Sequence, residues 1–420
     1  MARRRKKVGP LTAISLFTGA GGLDYGFEAA GFRTAVALEL DRRCCETLRH
    51  NRPSWPIIQG DAAAITTDEV LTAAGLQVGE ADVLIGGPPC QPFSKSGFWA
   101  TGSTQRLDDP RATTLESYLR VLAEAQPKAF LLENVEGLGF RGKDEGLQLI
   151  HSRLAAINAE FGTGYRATIG TLNAADYGVP QLRRRMFVIG SRDGKPFEFP
   201  QPTHLQPIAG DWTQNAPSHL TAWDALHDLT EPAAPDVQVT GKWSGLLPTI
   251  PEGNNYLWHT DRGGGQPLFG WRRRYWSFLL KLAKDQPSWT IQAQPGPATG
   301  PFHWNNRRLT MREMARLQTF PDDVDITGSL ADAQRQLGNA VPSLLAEVLA
   351  RAIASQLLGM APTVEEPVLA VHRALAPPPP PAPPAKVPRA FMALRGTHEA
   401  HPGTGKGLRA AVRSRTLTAA

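Results

Sequence analysis

Across the first 190 residues, short apolar and β-branched runs alternate with stretches whose apolar positions recur at helical spacing. Runs at 12–17 (TAISLF), 33–38 (RTAVAL), 56–59, 81–86 (ADVLIG), 128–132 (KAFLL), 165–171 and 185–190 (RMFVIG) predict strands. Helical spacing at 22–30, 41–50, 112–126 and 145–160 predicts the connections between them. Such alternation builds a parallel sheet covered by helices on both faces. From about residue 191 the periodicity fades and Pro, Trp, Gly and Asn become frequent, which predicts an irregular second domain to roughly 305. Inside it, WSFLLKLAK (276–284) keeps an apolar stripe and reads as that domain's own core helix. Helical spacing returns at 310–318 and 342–358; between them Asn339 and Pro342 offer a turn with a side-chain amide, and spacing alone favours helix capping there. Eight prolines fall between 377 and 388, so residues 361–420 are expected to be a disordered tail.

At 420 residues the chain exceeds the size at which one core usually suffices. No apolar run reaches the ~18 residues that span a bilayer, so no membrane is expected. The opening MARRRKKVGP has basic residues without the apolar stretch of a secretory signal. Three cysteines, none in a CxxC pair, exclude a disulfide scaffold and a zinc ribbon, and point to a reducing cytoplasm. HExxH is absent and His398 and His401 fall in the tail, so no metal is expected. The net charge of +6 comes from the ends: five basic groups in residues 1–7, and eight basic against three acidic in 361–420. The body holds 32 basic against 36 acidic groups, so any nucleic acid must be held by local arginine clusters. The basic tail is either a non-specific nucleic-acid tether or an unselected disordered extension.

Chemistry concentrates where predicted strands end. The first runs into LFTGAGGLDYGFEAAGF (16–32), a Gly-rich turn of the kind that lets backbone approach a cofactor. Gly19-x-Gly21-x-x-Asp24 breaks the GxGxxG pattern of nicotinamide enzymes. Glu39 closes the second strand, where an acid binds a ribose hydroxyl pair or simply starts a helix; Asp61 has the same two readings. The fourth strand delivers GGPPCQPFSKSGFWA, with Cys90 at a sheet edge where a thiol is a plausible nucleophile. Glu133, in LLENVEGL, emerges at that edge and is suited to hold a proton. In YGVPQLRRRMFVIG, Gln181, Arg183 and Arg185 share one face and Leu182 and Arg184 the other. A cysteine hydrolase would need a histidine base, and no histidine falls in any of these blocks.

Taken in order, FTGAGG, Glu39, the GD at 60–61, PPCQPFS, ENV, QLRRR, RLTMREMARLQTFPD and GNAVP resemble the bacterial DNA (cytosine-5)-methyltransferases over about residues 12–358. The resemblance implies an α/β, Rossmann-like S-adenosylmethionine-dependent methyltransferase sheet with helices on both faces, plus a smaller irregular target-recognition domain. It implies a basic arm (1–11), a catalytic cofactor-binding domain (12–190), a target-recognition domain (191–334) and a segment completing the catalytic domain (335–360). Cys90 would add to carbon 6 of a cytosine, Glu133 would protonate the base, and Arg183 and Arg185 would orient them. The cytosine must be flipped from the duplex, with a lid between Ser94 and Asp109 closing over it. S-adenosylmethionine would be held by Phe17, Gly19, Gly21, Gly22, Glu39, Asp61 and Pro88, with Asn339 and Val341 closing the pocket. Ser94, Gln181, Arg272, Arg273, Arg274 and Arg307 would contact double-stranded DNA, Arg308 belonging to the same basic cluster. The stand-alone form implies a cytoplasmic monomer paired functionally with a restriction endonuclease. The alternative is a catalytically silent DNA-binding regulator on the same scaffold.

Overall fold

The computed structural model describes residues 9–89, 112–135, 145–206, 216–230, 237–271, 275–360 and 364–394. Its first half alternates as the pattern predicts: β1 (Leu11–Leu16), α1 (Gly22–Ala29), β2 (Phe32–Glu39), α2 (Arg42–Asn51), β3 (Ile57–Gln59), α3 (Thr67–Ala74) and β4 (Val83–Gly86). Then come α4 (Ala112–Ala125), β5 (Ala129–Asn134), α5 (Glu145–Phe161), β6 (Arg166–Asn173), β7 (Gln181–Leu182) and β8 (Arg184–Ser191). The helix α3 was not expected, although Thr66 and Glu69 close a capping box at its start.

Seven strands form one sheet in the order β3-β2-β1-β4-β5-β8-β6. The sheet is mixed, not all parallel: β8 runs antiparallel to both β5 and β6. The short link from β6 to β8 explains the reversal, because a parallel return needs a long crossover. The apolar run MFVIG (186–190) is buried, and burial alone does not encode direction.

Alternate residues feed two cores. Ile14, Leu16 and Leu84 pack with Val70, Leu119, Leu122 and Leu154 from α3, α4 and α5. Ala13, Ile85 and Leu131 face Phe27 of α1 and Leu345, Leu349 and Ile353 of α9 (Ser343–Gln356). The last helix thus completes the first domain. With α8 (Leu330–Asn339) it makes an apolar span long enough to cross a membrane, but 83% of that window is buried in the protein.

A third core joins Tyr25, Leu48 and Trp55 to Met314 and Leu317 of α7 (Met311–Leu317), to Phe320 and to Leu337. Residues 309–340 therefore pack on α1 and α2 before position 335, where return to the catalytic domain was expected. Asn339 is the last residue of α8 and Pro342 the N-cap of α9, so the pair stands at helix ends as the capping reading had it; Ser329 and Asp332 box the start of α8.

A fourth core gathers Leu246, Leu247, Ile250, Tyr256, Phe269 and Phe302 within irregular chain. Among the described residues of this region the regular pieces are short: α6 (Ala222–Leu226), β9 (Ser288–Trp289) and two 3-10 turns, Ser244–Thr249 and Tyr256–His259. WSFLLKLAK is in that core region but is not a helix. Its backbone bonds sideways: Leu279 N–H donates to Ala298 O and Leu282 N–H to Phe302 O, both at 2.8 Å. Leu279 sits at φ 52°, outside the helical region. The tail also departs from expectation over 364–394, which lies against the body: Arg373 bonds Ser218, and Phe391 stacks on Trp243.

Candidate active site

The carboxyl ends of β1, β2, β4 and β5 open onto one cavity of about 600 Å³, closed on its far side by the start of Ala340–Pro342. Ligands bind at such strand ends in open α/β sheets. The turn after β1 is shaped by left-handed residues, Phe17 at φ 54° and Gly19 at φ 58°, and both line the cavity. Gly22 starts α1, and a β-carbon there would lie 2.3 Å from the Val341 carbonyl oxygen, so the contact between chain ends requires glycine. Gly21 has a different job from the one expected. It caps α1 at φ 89° and faces Tyr25 and Leu48 rather than the cavity.

Glu39 ends β2 with both carboxylate oxygens engaged, accepting Gly19 N–H and Asp41 N–H, each at 2.7 Å. Burial pushes its carboxyl above the ordinary range. Asp61 holds its own turn by accepting Ala63 N–H at 2.9 Å and lines the same cavity. Pro88, Asn339 and Val341 line it as well. Among the wall residues that sequence reasoning did not single out are Leu40, Asp41 and Arg335. Leu40 is 66% exposed although apolar, and its place between two acids at a strand end was the available signal. Asp41 caps α2 through Arg43 N–H and pairs across the cavity with Arg335 of α8. Nothing in the local pattern joins residues so far apart.

Deeper in, Glu133 of β5 is 8% exposed, and its Oε1 lies 3.0 Å from Arg185 Nε. Burial raises the Glu133 pKa; Arg185 and then Arg183 pull it back. A β-carbon on Gly87 would come within 2.9 Å of Glu133 Oε2, so the chain leading to Cys90 starts against this carboxyl. Asn134 Nδ2 donates to Pro88 O at 3.4 Å and Thr114 Oγ1 to Pro89 O at 3.3 Å, tying that segment to β5 and α4. Cys90 itself, Ser94, Arg272, Arg273 and Arg274 lie outside the described residues.

The alternation at 181–185 holds, but its members differ in function. Arg185 lines the cavity, whereas Arg183 is 1% exposed and donates to Gly338 O (2.8 Å) and Ile291 O (3.3 Å). Burial pushes the Arg183 guanidinium well below its usual pKa. Gln181, expected at the DNA, is fully buried instead: Nε2 donates to Leu317 O at 3.2 Å and Oε1 accepts Ile291 N–H at 3.4 Å. Arg307, likewise expected at the DNA, forms a two-pronged pair with Glu313 at 2.8 and 2.7 Å and is 9% exposed. Glu313 also closes the box that starts α7, which fixes the arginine inside the fold. Asp24, the residue that breaks the dinucleotide pattern, is buried between Ser15 Oγ (3.1 Å) and Thr34 Oγ1 (3.3 Å). Among the described residues no group of His, Cys, Asp and Glu could hold a metal ion.

Residues 11–355 match the family model of the C-5 cytosine-specific DNA methylases. The chain belongs to that family. It is similar to the type II methyltransferase M.SacI of Streptomyces achromogenes, 44% identical over 372 residues that cover 83% of this chain and 93% of the relative. The type II methyltransferase M1.HphI of Haemophilus parahaemolyticus is 35% identical over 350 residues, covering 82% and 86%. Among solved structures, a DNMT2 mutant of Spodoptera frugiperda superposes with a TM-score of 0.56 at 15% identity, covering 82% of this chain and 99% of that one. That likeness concerns the fold. In this DNA (cytosine-5)-methyltransferase of restriction–modification type, the Glu133–Arg185 pair lies on the wall of the cavity at the strand ends. The family match stops short of residues 364–394.

Proposed function

We propose that this methyltransferase binds S-adenosylmethionine in the 600 Å³ cavity and methylates carbon 5 of a cytosine flipped out of double-stranded DNA. The observation that carries the reading is the buried Glu133 carboxyl, held at 3.0 Å by Arg185, on the wall of that cavity. The cavity falls within the ~300–1,000 Å³ of small-molecule sites. Its chemistry also suits the donor. Glu39 offers a carboxylate to ribose hydroxyls, Leu40 an apolar surface to a purine ring, and Asp61 an acceptor to an exocyclic amine. Asn339 and Val341 enclose the other end. Once bound, S-adenosylmethionine supplies an electrophilic methyl group.

The remaining steps belong to the chain. Cys90 attacks carbon 6 of the cytosine as its thiolate, forming a carbon–sulfur bond. The displaced π electrons run toward the ring nitrogen, which takes a proton from Glu133. Burial favours the protonated carboxyl, and Arg185 fixes its direction. Carbon 5, now electron-rich, accepts the methyl group. A base then removes the carbon 5 proton, the electron pair left behind restores the carbon 5–carbon 6 double bond and expels the Cys90 sulfur as thiolate, and the ring nitrogen returns its proton to Glu133. Arg183 acts one layer back, by holding Gly338 beside Asn339. Residues 191–334 select the DNA sequence, Arg272, Arg273 and Arg274 being the remaining candidates for contact. The enzyme works as a cytoplasmic monomer, and its product shields host DNA from a partner restriction endonuclease.

The test is bisulfite sequencing of DNA from a methylation-deficient bacterial host expressing the parent or Cys90→Ser. The expected result is one short motif whose cytosine is protected by the parent alone. No protected cytosine, from soluble protein that binds S-adenosylmethionine, would favour a silent DNA-binding regulator.

A further inference from the structure

Residues 364–394 run from the catalytic core to the recognition lobe through a series of specific bonds. They begin at α9, where the buried Glu347 carboxylate accepts the backbone N–H groups of Val368 (2.6 Å) and Leu369 (2.8 Å). Arg373 then donates to Ser218 Oγ at 2.7 Å, and Ala374 N–H to Asp224 Oδ1 at 2.9 Å. The indole N–H of Trp223 donates to the Ala376 carbonyl at 3.0 Å. Past the prolines, Ala385 N–H donates to Pro248 O at 2.9 Å, and Phe391 stacks on Trp243 with ring centres 6.2 Å apart. Val387 and Met392 join Phe391 against the fourth core.

The middle of this segment has a conformation set by its composition. Each proline holds φ near −65° and forces the residue before it into extended backbone, so Pro377–Pro381 make a polyproline II rod without a free N–H. Such rods are recognised by aromatic-lined grooves, and their outward carbonyls accept from side-chain donors. The body presents that chemistry. Trp223 lies 5.9 Å from His227 and 6.2 Å from Trp304, beside a cleft of about 360 Å³ that Pro379, Pro380 and Ala382 also line.

We propose that the face formed by Trp223, His227 and Trp304 is a polyproline II binding site engaged in cis by residues 376–385, which close over the cleft beside it, and that the seated rod fixes the recognition lobe against the catalytic core. Rigidity is what the prolines add. A rod of nine steps spans about 28 Å at ~3.1 Å per residue, whereas a flexible Gly-rich coil of that length averages about 17 Å. The rod therefore sets a distance that a coil leaves open. Trp223 and Trp304 pack in the third core, against α1 and α2, whereas Pro248 and Trp243 belong with the fourth core, so the rod joins the two. The consequence for DNA rests on the reading of the fourth core, within residues 191–334, as the target-recognition lobe: with the lobe held, less orientational freedom is lost when DNA binds.

The test uses the full chain and two variants, Trp223→Phe and the triple change Pro378→Gly, Pro379→Gly, Pro380→Gly. Trypsin cleavage at Lys386 and Arg389 under native conditions reports release of the segment. Loss of one hydrogen bond should speed cleavage about five-fold in Trp223→Phe, and the triple variant should be cut faster still. The triple variant should also bind duplex DNA more weakly while its S-adenosylmethionine affinity stays at the parent value. A synthetic peptide of residues 374–390 should shift the tryptophan fluorescence of the triple variant and leave the parent unchanged. Parent-like cleavage in both variants, or no peptide response, would overturn the site. Faster cleavage with unaltered DNA affinity would overturn the lobe-fixing role and leave the site standing.

Discussion

Asp24 offers a test of the cofactor-turn architecture that needs no DNA. Its carboxyl is wholly buried where α1 crosses β1 and β2, and accepts hydrogen bonds from Ser15 and Thr34. Burial lifts its pKa from the ordinary 3.8 to about 7, more than those bonds pull it down. At pH values below 3.8 both the folded and unfolded carboxyls are protonated. Above it the unfolded chain releases its proton first, while the native carboxyl keeps one up to about pH 7. The unfolded state then binds fewer protons, so stability falls as pH rises through this window and levels off beyond it. The whole window is worth roughly 4 kcal/mol, and the part above about pH 5 roughly 3 kcal/mol. Asp24→Asn keeps the shape and the acceptor for Thr34 but does not titrate. Urea unfolding, followed by circular dichroism at about pH 5 and about pH 8, should show the parent losing roughly 3 kcal/mol more than the variant over that range. Parallel losses in the two proteins would refute the assignment of a proton to native Asp24.

Two further outcomes follow from contacts in the same region. Gly22→Ala places a methyl group 2.3 Å from the Val341 carbonyl, with backbone on both sides. It should cost about 1–3 kcal/mol in denaturant unfolding, and calorimetry should show S-adenosylmethionine binding weakened by on the order of ten-fold. Arg307→Ala strands the buried Glu313 and should cost about 3–5 kcal/mol in the same unfolding assay. DNA affinity of its folded fraction, measured at low temperature, should match the parent; a selective loss of DNA binding would return Arg307 to the surface role.

Period and strand-end chemistry made most of the catalytic half legible. The runs at 12–17, 33–38 and 128–132 became β1, β2 and β5 within a residue or two at their ends, and the acids at their carboxyl ends, Glu39 and Glu133, face one cavity. What stayed hidden depended on long-range pairing. The direction of β8 is set by its partners, and a buried apolar run looks alike either way. Gln181 and Arg307 belong to blocks that signal DNA chemistry, yet both are absorbed by tertiary bonds to Leu317 and Glu313. WSFLLKLAK has the right stripe for a helix, but flanking segments at 298 and 302 take its hydrogen bonds. The proline segment lacks the apolar content for a core of its own, so composition alone gave no hint that Trp223 and Trp243 would hold it.

The cavity draws its walls from opposite ends of the chain, Gly19, Gly22 and Glu39 on one side and Arg335 to Val341 on the other. During synthesis those walls cannot meet until some 340 residues have left the ribosome. A nascent fragment can display the first strands and the turn, but it has no enclosed cavity at the strand ends. If the methyl donor binds there as proposed, premature termination or clipping of the last two helices is expected to yield an inert product rather than a methyltransferase of relaxed specificity. In a host whose genome is marked by this enzyme, an incomplete copy leaves no stray marks.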